Sequence, residues 1–356
     1  MKPSKPAVLP VKLDYSVFAK EWAEASFALG RLDESQKKLP NPNLLVAPMV
    51  TKEATISSKI EGTRSTLSDV MLFEAGEEAK YSDTQEVVNY RRATFWAIDA
   101  LNKRDFNLPL IKELHNMLLR GVRGEKYNCG KFRNNQVWIG KKGERIDKAT
   151  YVPVDPLLVL DYMENLENYL LNNVENPLLK AGIIHYQFEA IHPFSDGNGR
   201  IGRLIIPLFL HKNGMLFQPI LYLSGYFEEH RSEYIEALHD VDVTQKYENW
   251  LKLFLGAVKE QAGETQRTID DIMLLRREIE IKTELIKSPY MGKVLDFIFN
   301  MPIFSTSDIT KSLGFGRATA LRLIKNLEEL NIIIQYKDAV SKKKKVFLFP
   351  RLINKL

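Results

Sequence analysis

The densest group of polar side chains in this chain lies in one run of twelve residues, His-Pro-Phe-Ser-Asp-Gly-Asn-Gly-Arg-Ile-Gly-Arg, at positions 192–203. Glycines on both sides of Asn198 leave backbone N–H groups open to an anion, and a helix-like pattern starts there, so the helix dipole adds positive charge. Arg200 and Arg203 are three residues apart and project from one face of the first helical turn. Two guanidinium groups and a set of N–H groups at one point suit a polyphosphate.

Two more side chains in this run could take part in a reaction. Asp196 directly precedes the glycine-rich turn, and a carboxylate beside a phosphate is repelled unless a cation lies between them, which makes Mg²⁺ the natural partner. His192 lies on the other limb of the loop, where a neutral imidazole could remove a proton from a hydroxyl that attacks the phosphate. Phe194 is predicted to point inward and anchor the loop. Each feature alone is common in structural turns, but their conjunction favours a catalytic loop.

Helical periodicity on both sides of the loop predicts a mainly helical protein. Helix-like patterns cover 18–32, 50–61, 84–102, 109–121, 155–173, 178–191, 199–213, 230–240 and 245–282. Between 121 and 153 the pattern changes to scattered glycines with a short alternating piece, which predicts a hairpin or flap. The prolines of the segment 39–42, Leu-Pro-Asn-Pro, stop a helix, so we expect a break there.

The chain after Pro289 is organised differently. Its patterns predict three helices, at Tyr290–Phe299, from the cap Ser305–Asp308 to Leu313, and at Arg317–Leu330, the last with Ala318, Leu321, Ile324 and Leu327 on its apolar stripe. Two β-like pieces follow at 332–335 and 346–349, separated by a run of lysines. A helix, a helix-turn-helix and a hairpin with a basic tip are the elements of a winged helix, in that order.

Length and composition restrict what kind of protein this is. The chain has 356 residues, 45% of them hydrophobic and 27% charged, which excludes wholesale disorder and fibrous repeats. A single core stops growing at roughly 250–300 residues, so we expect two or more packed units. The single cysteine, Cys129, excludes an internal disulfide and fits a reducing compartment. No apolar run reaches the ~18 residues of a membrane span, so we expect a cytoplasmic protein with no membrane partner.

The net charge is unevenly distributed along the chain. Lys and Arg number 50 against 45 Asp and Glu, a formal charge of +5. Residues 288–356 contain 12 basic and 5 acidic residues, a net of +7, which leaves 38 against 40, or −2, for residues 1–287. A basic carboxyl-terminal module on a nearly neutral body points to a separate partner for that module.

The run at 192–203 resembles the signature of the Fic family, His-x-Phe-x-(Asp/Glu)-Gly-Asn-Gly-Arg-x-x-Arg, and matches it at every defined position. The resemblance implies a helical Fic core and the transfer of AMP from ATP to a Ser, Thr or Tyr hydroxyl of a target protein, the enzyme itself included. It implies that His192 is the general base and that Asp196 holds Mg²⁺. The implied ATP-binding residues are Gly197, Asn198, Gly199, Arg200, Ile201, Gly202 and Arg203, with Tyr234 among the aromatic residues where an adenine could rest.

Other segments extend the resemblance over most of residues 10–260. Those at 83–90, 114–119, 130–140 and 149–153 are similar to stretches that Fic proteins carry. The family's flap corresponds to about 134–152, and its edge could add a segment of the target as an extra strand. The implied docking residues are Gln136, Val137, Trp138, Ile139 and Gly140. A packing role for Trp138 inside the hairpin is the alternative.

A second motif resembles the Fic inhibitory helix, in the amino-terminal position that defines one class of the family. Ser57, Glu61 and Gly62 match the pattern (Ser/Thr)-x-x-x-Glu-(Gly/Asn). The resemblance implies that Glu61 pairs with Arg203 and removes a ligand of the γ-phosphate, so that the enzyme is autoinhibited. An exposed glutamate with no such role is the alternative. In some relatives the same glutamate positions a water that removes AMP from a modified protein, so a Fic enzyme whose main activity is the removal of AMP is a further alternative.

The sequence thus predicts four regions, namely 1–100 with the inhibitory helix at about 50–62, the Fic core at 101–260, a linking helix at 261–287 and a winged-helix-like module at 288–356. In that module Arg317, Arg322 and Lys325 of the predicted recognition helix could contact DNA phosphates together with Lys342–Lys345. A DNA-associated regulator is therefore the competing hypothesis. Winged helices also dock proteins, and Fic proteins often pair through the core, so a homodimer is a further expectation.

Overall fold

The structure, a computed structural model, describes residues 2–38, 43–122, 128–140, 143, 145–172, 175–336 and 345–356. These residues are mainly helical, as the sequence predicts. The helices are α1 (Ala19–Lys37), α2 (Asn43–Ile60), α3 (Leu67–Glu74), α4 (Thr84–Leu101), α5 (Leu108–Leu119), α6 (Val159–Leu171), α7 (Pro177–Ile191), α8 (Asn198–Lys212), α9 (Ser224–Glu229), α10 (Arg231–Thr244), α11 (Glu248–Thr283), α12 (Met291–Asn300), α13 (Thr306–Leu313), α14 (Arg317–Glu329) and α15 (Pro350–Ile353). No helix in these ranges combines the length and the apolar character that crossing a bilayer requires.

Three short α-helices and one strand were not predicted from the sequence. They are α3 with eight residues, α9 with six, α15 with four and the strand β1 (Ile303–Ser305) with three. Elements of this length show too few repeats for a periodic hydrophobic pattern. The predicted break at 39–42 lies outside the described residues.

The chain divides into two compact units. Unit 1 comprises Met1–Asp33 and Asn89–Gly263, and unit 2 comprises Glu34–Val88 and Glu264–Leu356. The segment with the predicted inhibitory helix therefore groups with the carboxyl-terminal residues. The four-region division made from the sequence stays a prediction about domains.

Helix α7 is the centre of unit 1. Asn176 caps it by accepting a hydrogen bond from the Leu178 N–H at 2.9 Å, and Pro177 occupies its first position. Nearly every residue of α7 is buried, and α8 packs along it. A Cβ at Gly182 of α7 would lie 2.8 Å from the ring of Phe254, so a glycine is required for this close approach. This packing fixes where α7 ends and α8 begins, and hence the loop between them.

In unit 2, α2 ends on the glycine that the sequence marks as its stop. Gly62 has a φ of 91°. Its N–H donates to the Lys59 carbonyl at 2.9 Å, and the Thr63 N–H donates to the Ser58 carbonyl at 3.2 Å. These two bonds form a Schellman motif, which satisfies carbonyls at the helix end. Glu61 is therefore the first residue after the end of α2.

The start of α2 differs from the prediction. The helix begins at Asn43 rather than at 50, and it includes Pro48. A proline removes one backbone hydrogen bond, but the residues around it, Val46, Val50 and Ala54, are buried. Helices in proteins are stabilised mainly by tertiary packing of such residues, so this helix continues through the proline.

The carboxyl-terminal part of unit 2 contains a three-stranded antiparallel sheet. Its strands, β1, β2 (Ile334–Gln335) and β3 (Val346–Leu348), lie in the order β1-β3-β2. A capping box formed by Ser305 and Asp308 opens α13, as the sequence predicts. The element order α12, β1, α13, α14, β2, β3 is the one expected of a winged helix, an assignment that stays a prediction. Of the predicted basic tip, only Lys345 lies within the described residues.

The predicted apolar stripe of α14 is partly wrong. Ala318 is exposed and Leu321 is 41% exposed, whereas the buried residues are Ala320, Leu323, Ile324 and Leu327. The sequence offers apolar residues at two overlapping helical spacings, and the packing of α14 against α13 selects one of them. Apolar residues are common on helix surfaces, so the sequence alone does not show which of these residues are exposed.

Helices α2 and α3 pack on the carboxyl-terminal elements of unit 2. Met71 and Ala75 of α3 form a buried cluster with Ile303 of β1 and Val346 of β3. α12 lies beside α2. The predicted inhibitory helix thus shares a core with the predicted winged-helix-like module.

Candidate active site

The predicted catalytic loop joins the end of α7 to the start of α8. His192 is the first residue after α7, and its N–H still donates to the Phe188 carbonyl at 2.9 Å. Its φ of 51° and ψ of 62° are left-handed, a conformation that only a few per cent of non-glycine residues adopt, histidine more often than most. This turn directs the chain away from the helix axis. Such backbone strain persists only where the surroundings hold it, as at functional sites.

The other end of the loop is a helix amino terminus. Gly197 precedes α8 with a φ of 77°, and a Cβ there would lie 3.3 Å from Leu118 Cδ2. Asn198 is buried, and its side chain accepts from the Phe194 N–H and donates to the Phe194 carbonyl, both at 2.8 Å. The side chain of Asn198 therefore closes the loop on itself. What the turn offers an anion is its backbone N–H groups.

The two arginines of the first turn are buried. Arg200 is 1% exposed and Arg203 is 5% exposed. Arg200 Nη2 lies 3.5 Å from Asp196 Oδ1, which also accepts a hydrogen bond from the Gly197 N–H at 2.7 Å. Burial of a guanidinium is costly unless polar or anionic groups surround it. Two guanidiniums beside a helix amino terminus are groups that could bind a multiply charged anion, as the sequence predicts.

Two of the residues expected to bind ATP face the protein interior. Ile201 is fully buried in the core. A Cβ at Gly202 would lie 2.2 Å from Glu189 Oε1 and 3.3 Å from the ring of Phe188, so this position faces α7. Their contribution is to the packing of α8 against α7, which orients the arginines.

Asp196 fits the predicted Mg²⁺ site. Its carboxylate is half-buried at the mouth of the turn, held at Oδ1 by the Gly197 N–H. Mg²⁺ in proteins is commonly bound by one or two carboxylates together with the phosphates of a substrate. The single carboxylate of Asp196, together with the phosphates of a bound nucleotide, would supply this set of oxygen ligands.

His115, which sequence reasoning did not single out, holds the loop from α5. Its ring stacks on Phe194 with centroids 3.7 Å apart. Nδ1 accepts from the Gly130 N–H at 2.8 Å, so Nε2 carries the proton and donates to the Asp196 carbonyl at 2.9 Å. Burial lowers the pKa of His115 to about 4, so the ring is neutral near pH 7. Phe194 is buried, as predicted. The residue on which it stacks, His115, lies among the apolar residues of α5 and so resembles an ordinary core residue in the sequence.

His185 connects the first turn of α8 to Tyr234. Its Nδ1 lies 3.0 Å from the Gly202 carbonyl and its Nε2 lies 2.9 Å from the Tyr234 hydroxyl. Because a carbonyl only accepts, Nδ1 carries the proton and Tyr234 donates to Nε2. Burial lowers the pKa of His185 to about 4. The hydroxyl of Tyr234 is thus directed at His185. Its ring stacks on Phe227 with centroids 4.4 Å apart, and only the ring could make the predicted contact with an adenine.

The flap is less regular than predicted. Within the described residues of 134–152, one antiparallel bridge joins Ile139 to Tyr151, with the Ile139 N–H donating to the Tyr151 carbonyl at 2.9 Å. Gln136 donates its side-chain amide to the Val137 and Pro153 carbonyls, both at 3.0 Å. Trp138 is 43% exposed and Ile139 is 44% exposed. Trp138 is thus partly accessible, and both its docking role and its packing role stay predictions.

The predicted inhibitory residues belong to unit 2. Ser57 is fully buried, whereas Glu61 and Gly62 are exposed at the end of α2. Arg203, the predicted partner of Glu61, belongs to unit 1. The pairing of Glu61 with Arg203 stays a prediction.

The fold and the site together define a class of protein, helical with an anion site at the start of one buried helix and a histidine at the end of the preceding one. Two family models match the chain, the Fic/DOC family N-terminal model over residues 19–99 and the Fic/DOC family model over residues 105–210. Together they cover more than half of the chain. The chain belongs to the Fic/DOC family.

Curated relatives share part of their length with this chain. Protein adenylyltransferase fic-1 of Caenorhabditis briggsae is 29% identical over 172 residues, 45% of this chain and 31% of the relative. Protein adenylyltransferase Fic of Culex quinquefasciatus is 27% identical over 285 residues, 74% of this chain and 51% of the relative. The chain spans between about a third and a half of the length of these relatives.

Solved structures of Fic proteins have a similar fold. A Fic family protein from Desulfovibrio desulfuricans G20 aligns with a TM-score of 0.58 and 22% identity, over 97% of this chain and 98% of that one. Fic-1 from C. elegans aligns with a TM-score of 0.57 and 20% identity, over 73% of this chain and 74% of that one.

Proposed function

We propose that this chain is a protein adenylyltransferase, which moves AMP from ATP to a Ser, Thr or Tyr hydroxyl of a target protein. The observation that carries the proposal is the burial of Arg200 and Arg203 in the first turn of α8, with His192 at the other end of the same short loop. A buried pair of cations suits a triphosphate, and a histidine at the edge of that site suits the activation of a hydroxyl. The names of the curated relatives support the same reaction.

Some residues of the loop would bind the phosphates, and His192 would transfer the proton. The N–H groups at the start of α8 and the two guanidiniums bind and orient the phosphates of ATP. His192 accepts the proton of the target hydroxyl, whose oxygen forms a bond to the α-phosphorus. The bond from the α-phosphorus to the bridging oxygen breaks, and pyrophosphate leaves. Mg²⁺ held by Asp196 would neutralise phosphate charge when bound.

Labelled ATP tests the reaction type. Incubation with α-labelled ATP should label a protein, and incubation with γ-labelled ATP should leave it unlabelled. Label from the γ-phosphate would mean phosphorylation instead. Label from neither nucleotide, in the native chain and in Glu61→Gly alike, would reject the proposed activity. Label on the chain itself would show that it is also a target.

Regulation by Glu61 is part of the proposal. At the carboxyl end of α2, the helix dipole disfavours an anion, so a glutamate there gains by contact with a cation. A contact with Arg203 would compete with the γ-phosphate for the same guanidinium. In the reverse direction, a water positioned by Glu61 would remove AMP from a modified protein. Release of labelled AMP from purified, modified target distinguishes this second activity.

The assembly and setting of the enzyme complete the proposal. The Fic core would pair with a second copy of itself, in a reducing cytoplasm where Cys129 stays a thiol. Light scattering over a range of protein concentrations gives the molar mass, and a constant monomer mass would reject the homodimer.

A second candidate function rests on α14. Arg317, Arg322 and Lys325 are exposed on this helix, which follows α13 as the second helix of a helix-turn-helix. We propose that this face binds the phosphates of duplex DNA. A gel-shift experiment tests it, since binding through phosphates should be visible at low salt and fall steeply as salt rises. No shift at low salt would remove DNA as the partner and leave protein docking.

A further inference from the structure

Arg133 lies immediately before the flap, and its side chain is directed into unit 1. The residue is 5% exposed. Its Nε donates to the His192 carbonyl at 2.8 Å, and Nη2 donates to the Ile191 carbonyl at 3.2 Å. The backbone N–H of Arg133 donates to the Pro193 carbonyl at 2.8 Å. One residue thus binds three successive carbonyls at the start of the catalytic loop.

The same guanidinium also binds both limbs of the flap where they meet the core. Nη1 donates to the Asn135 carbonyl at 3.0 Å, and Nη2 donates to the Val154 carbonyl at 2.5 Å. Asn135 leads into the flap and Val154 follows it, and the only bridge between the limbs in the described residues is Ile139 to Tyr151. Besides this bridge, the Gln136 side chain donates to the Pro153 carbonyl at 3.0 Å, and Arg133 adds a further connection at the base of a segment that has little regular pairing.

The charge of Arg133 is kept at this buried position. Burial lowers the pKa of the guanidinium to about 10, which still leaves it protonated near pH 7. The carbonyls of Ile191 and His192 lie at the carboxyl end of α7, where the helix dipole places partial negative charge. A cation is favoured there, and the hydrogen bonds to carbonyls replace water around it.

We propose that Arg133 is a positioning residue: it holds His192 in its left-handed conformation and fixes the base of the flap relative to His192. The inference rests on the proposed function, in which the target docks on the flap and His192 takes its proton. The direction of the His192 carbonyl depends on φ and ψ of that residue, so the Nε hydrogen bond restrains the turn that places the imidazole. A lysine cannot replace the arginine, because its three N–H groups diverge from one atom and do not span the fork.

Amide hydrogen exchange tests the positioning directly, without any need for activity. Arg133→Lys is compared with Arg231→Lys, the same change at an exposed residue of α10. We expect at least tenfold faster exchange in Arg133→Lys for peptides covering 190–197 and for those covering 135–140 and 149–155. Exchange elsewhere in unit 1, and everywhere in Arg231→Lys, should stay as in the native chain. Native exchange in either segment, or faster exchange throughout unit 1, would overturn the proposal.

Kinetics separate positioning from a general loss of the site. At saturating ATP, single-turnover transfer by Arg133→Lys should fall about 30- to 100-fold, since a small misplacement of a catalytic group costs about 10²-fold. The dissociation constant for ATP should change less than about threefold, because the phosphates are bound by α8. A parallel loss of ATP affinity would mean that Arg133 supports the whole site, which contradicts the proposal.

A second variant covers the case in which Arg133→Lys does not fold. Arg133→Ala leaves a space the size of a guanidinium, and added methylguanidinium should raise its transfer rate at least tenfold while leaving Arg231→Ala unchanged. Failure of this rescue in a folded variant would overturn the role of the fork. If the native chain and Glu61→Gly transfer no label at all, the proposed function fails, and the exchange experiment alone still decides whether Arg133 holds both segments.

Discussion

The catalytic loop of unit 1 and helix α14 of unit 2 both carry closely spaced cations, but they bury them differently. Arg200 and Arg203 are almost fully buried, whereas Arg317, Arg322 and Lys325 are exposed. Burying a charge costs free energy, so two buried guanidiniums within one helical turn are far less common than exposed ones. Exposed cations are stable in water whether or not a partner exists. The same residue types therefore carry far more functional information in the loop than on α14.

The largest effect should come from the residue at the end of α7. We expect His192→Ala to lower the transfer rate by about 10³-fold, because general-base catalysis contributes about 10²- to 10⁴-fold. ATP affinity should remain within about threefold, since the phosphates are held by α8. Transfer is followed with α-labelled ATP and binding by calorimetry, with exposed His239→Ala as the control. A variant that still modifies its target at the native rate would show that the base lies elsewhere.

Removal of the predicted brake should produce the next largest effect. Glu61→Gly should raise transfer by about 10- to 100-fold, the usual size of the coupling between two sites. The physical reason is that Arg203 would be available to the γ-phosphate. Glu78→Gly, at an exposed position of unit 2, is the matched control. Equal transfer rates in Glu61→Gly and Glu78→Gly would show that Glu61 does not inhibit the enzyme.

The glycine before α8 gives a smaller, more selective effect. Gly197→Ala and Gly214→Ala both place a Cβ at a positive φ, 77° and 71°, which costs about 1–2 kcal/mol of stability in each, and the Cβ at 197 adds a tight contact 3.3 Å from Leu118 Cδ2. Only Gly197 borders the anion site, so only Gly197→Ala should also weaken ATP binding, by about tenfold. Urea unfolding and ATP titration of both variants provide the measurement. A similar loss of affinity in both would mean that the effect is general destabilisation.

The sequence predicts the loop well because its function depends on residue type and spacing. The helices α7 and α8, the inward direction of Phe194 and the glycine stop of α2 all follow from local patterns. Local patterns do not reveal which distant residue completes a site. His115 and Arg133 lie in the segments 114–119 and 130–140 that resemble Fic proteins, but nothing in those segments indicates that they reach the loop from 81 and 59 residues away.

The patterns of unit 2 are harder to interpret for a related reason. The stripe of α14 was assigned partly to exposed residues, since Ala318 and Leu321 fit a helical spacing as well as Ala320 and Leu323 do. Which spacing is buried depends on the neighbours, α13 and the short sheet, and the strand β1 was not predicted. Nothing in the sequence indicates that α3 shares a core with β1 and β3.

Acid should destabilise unit 1 through its two buried histidines. His115 and His185 have folded-state pKa values of about 4, below the usual 6.5, so the unfolded state binds more protons between these values. Their contribution to stability is complete above about pH 7 and is lost as pH falls from 6.5 towards 4. At pH 5.5 the expected loss is about 1 kcal/mol for each histidine.

Urea unfolding at several pH values measures this loss. The loss between pH 7.5 and 5.5 should be smaller in His115→Gln, which can donate one hydrogen bond but does not titrate in this range. His239→Gln controls for the removal of an exposed histidine. A native-like pH dependence in His115→Gln would mean that the pKa of His115 is not lowered in the folded chain.

The smallest effect on catalysis should come from α14, where the contrast with the loop is sharpest. Replacing Arg317, Arg322 and Lys325 by alanine should leave transfer within about twofold of the native rate, because solvent and salt screen the field of exposed charges. If α14 binds DNA, the same variant should lower the salt dependence of binding, since each phosphate contact adds about 0.9 to the slope of log K against log salt.

A variant with the same charge change in unit 1, at Lys103, Arg231 and Lys246, separates specific contacts from net charge. Equal weakening in both variants would mean that DNA responds only to total charge. Lost transfer in the α14 variant alone would show that this exposed helix does affect the buried site.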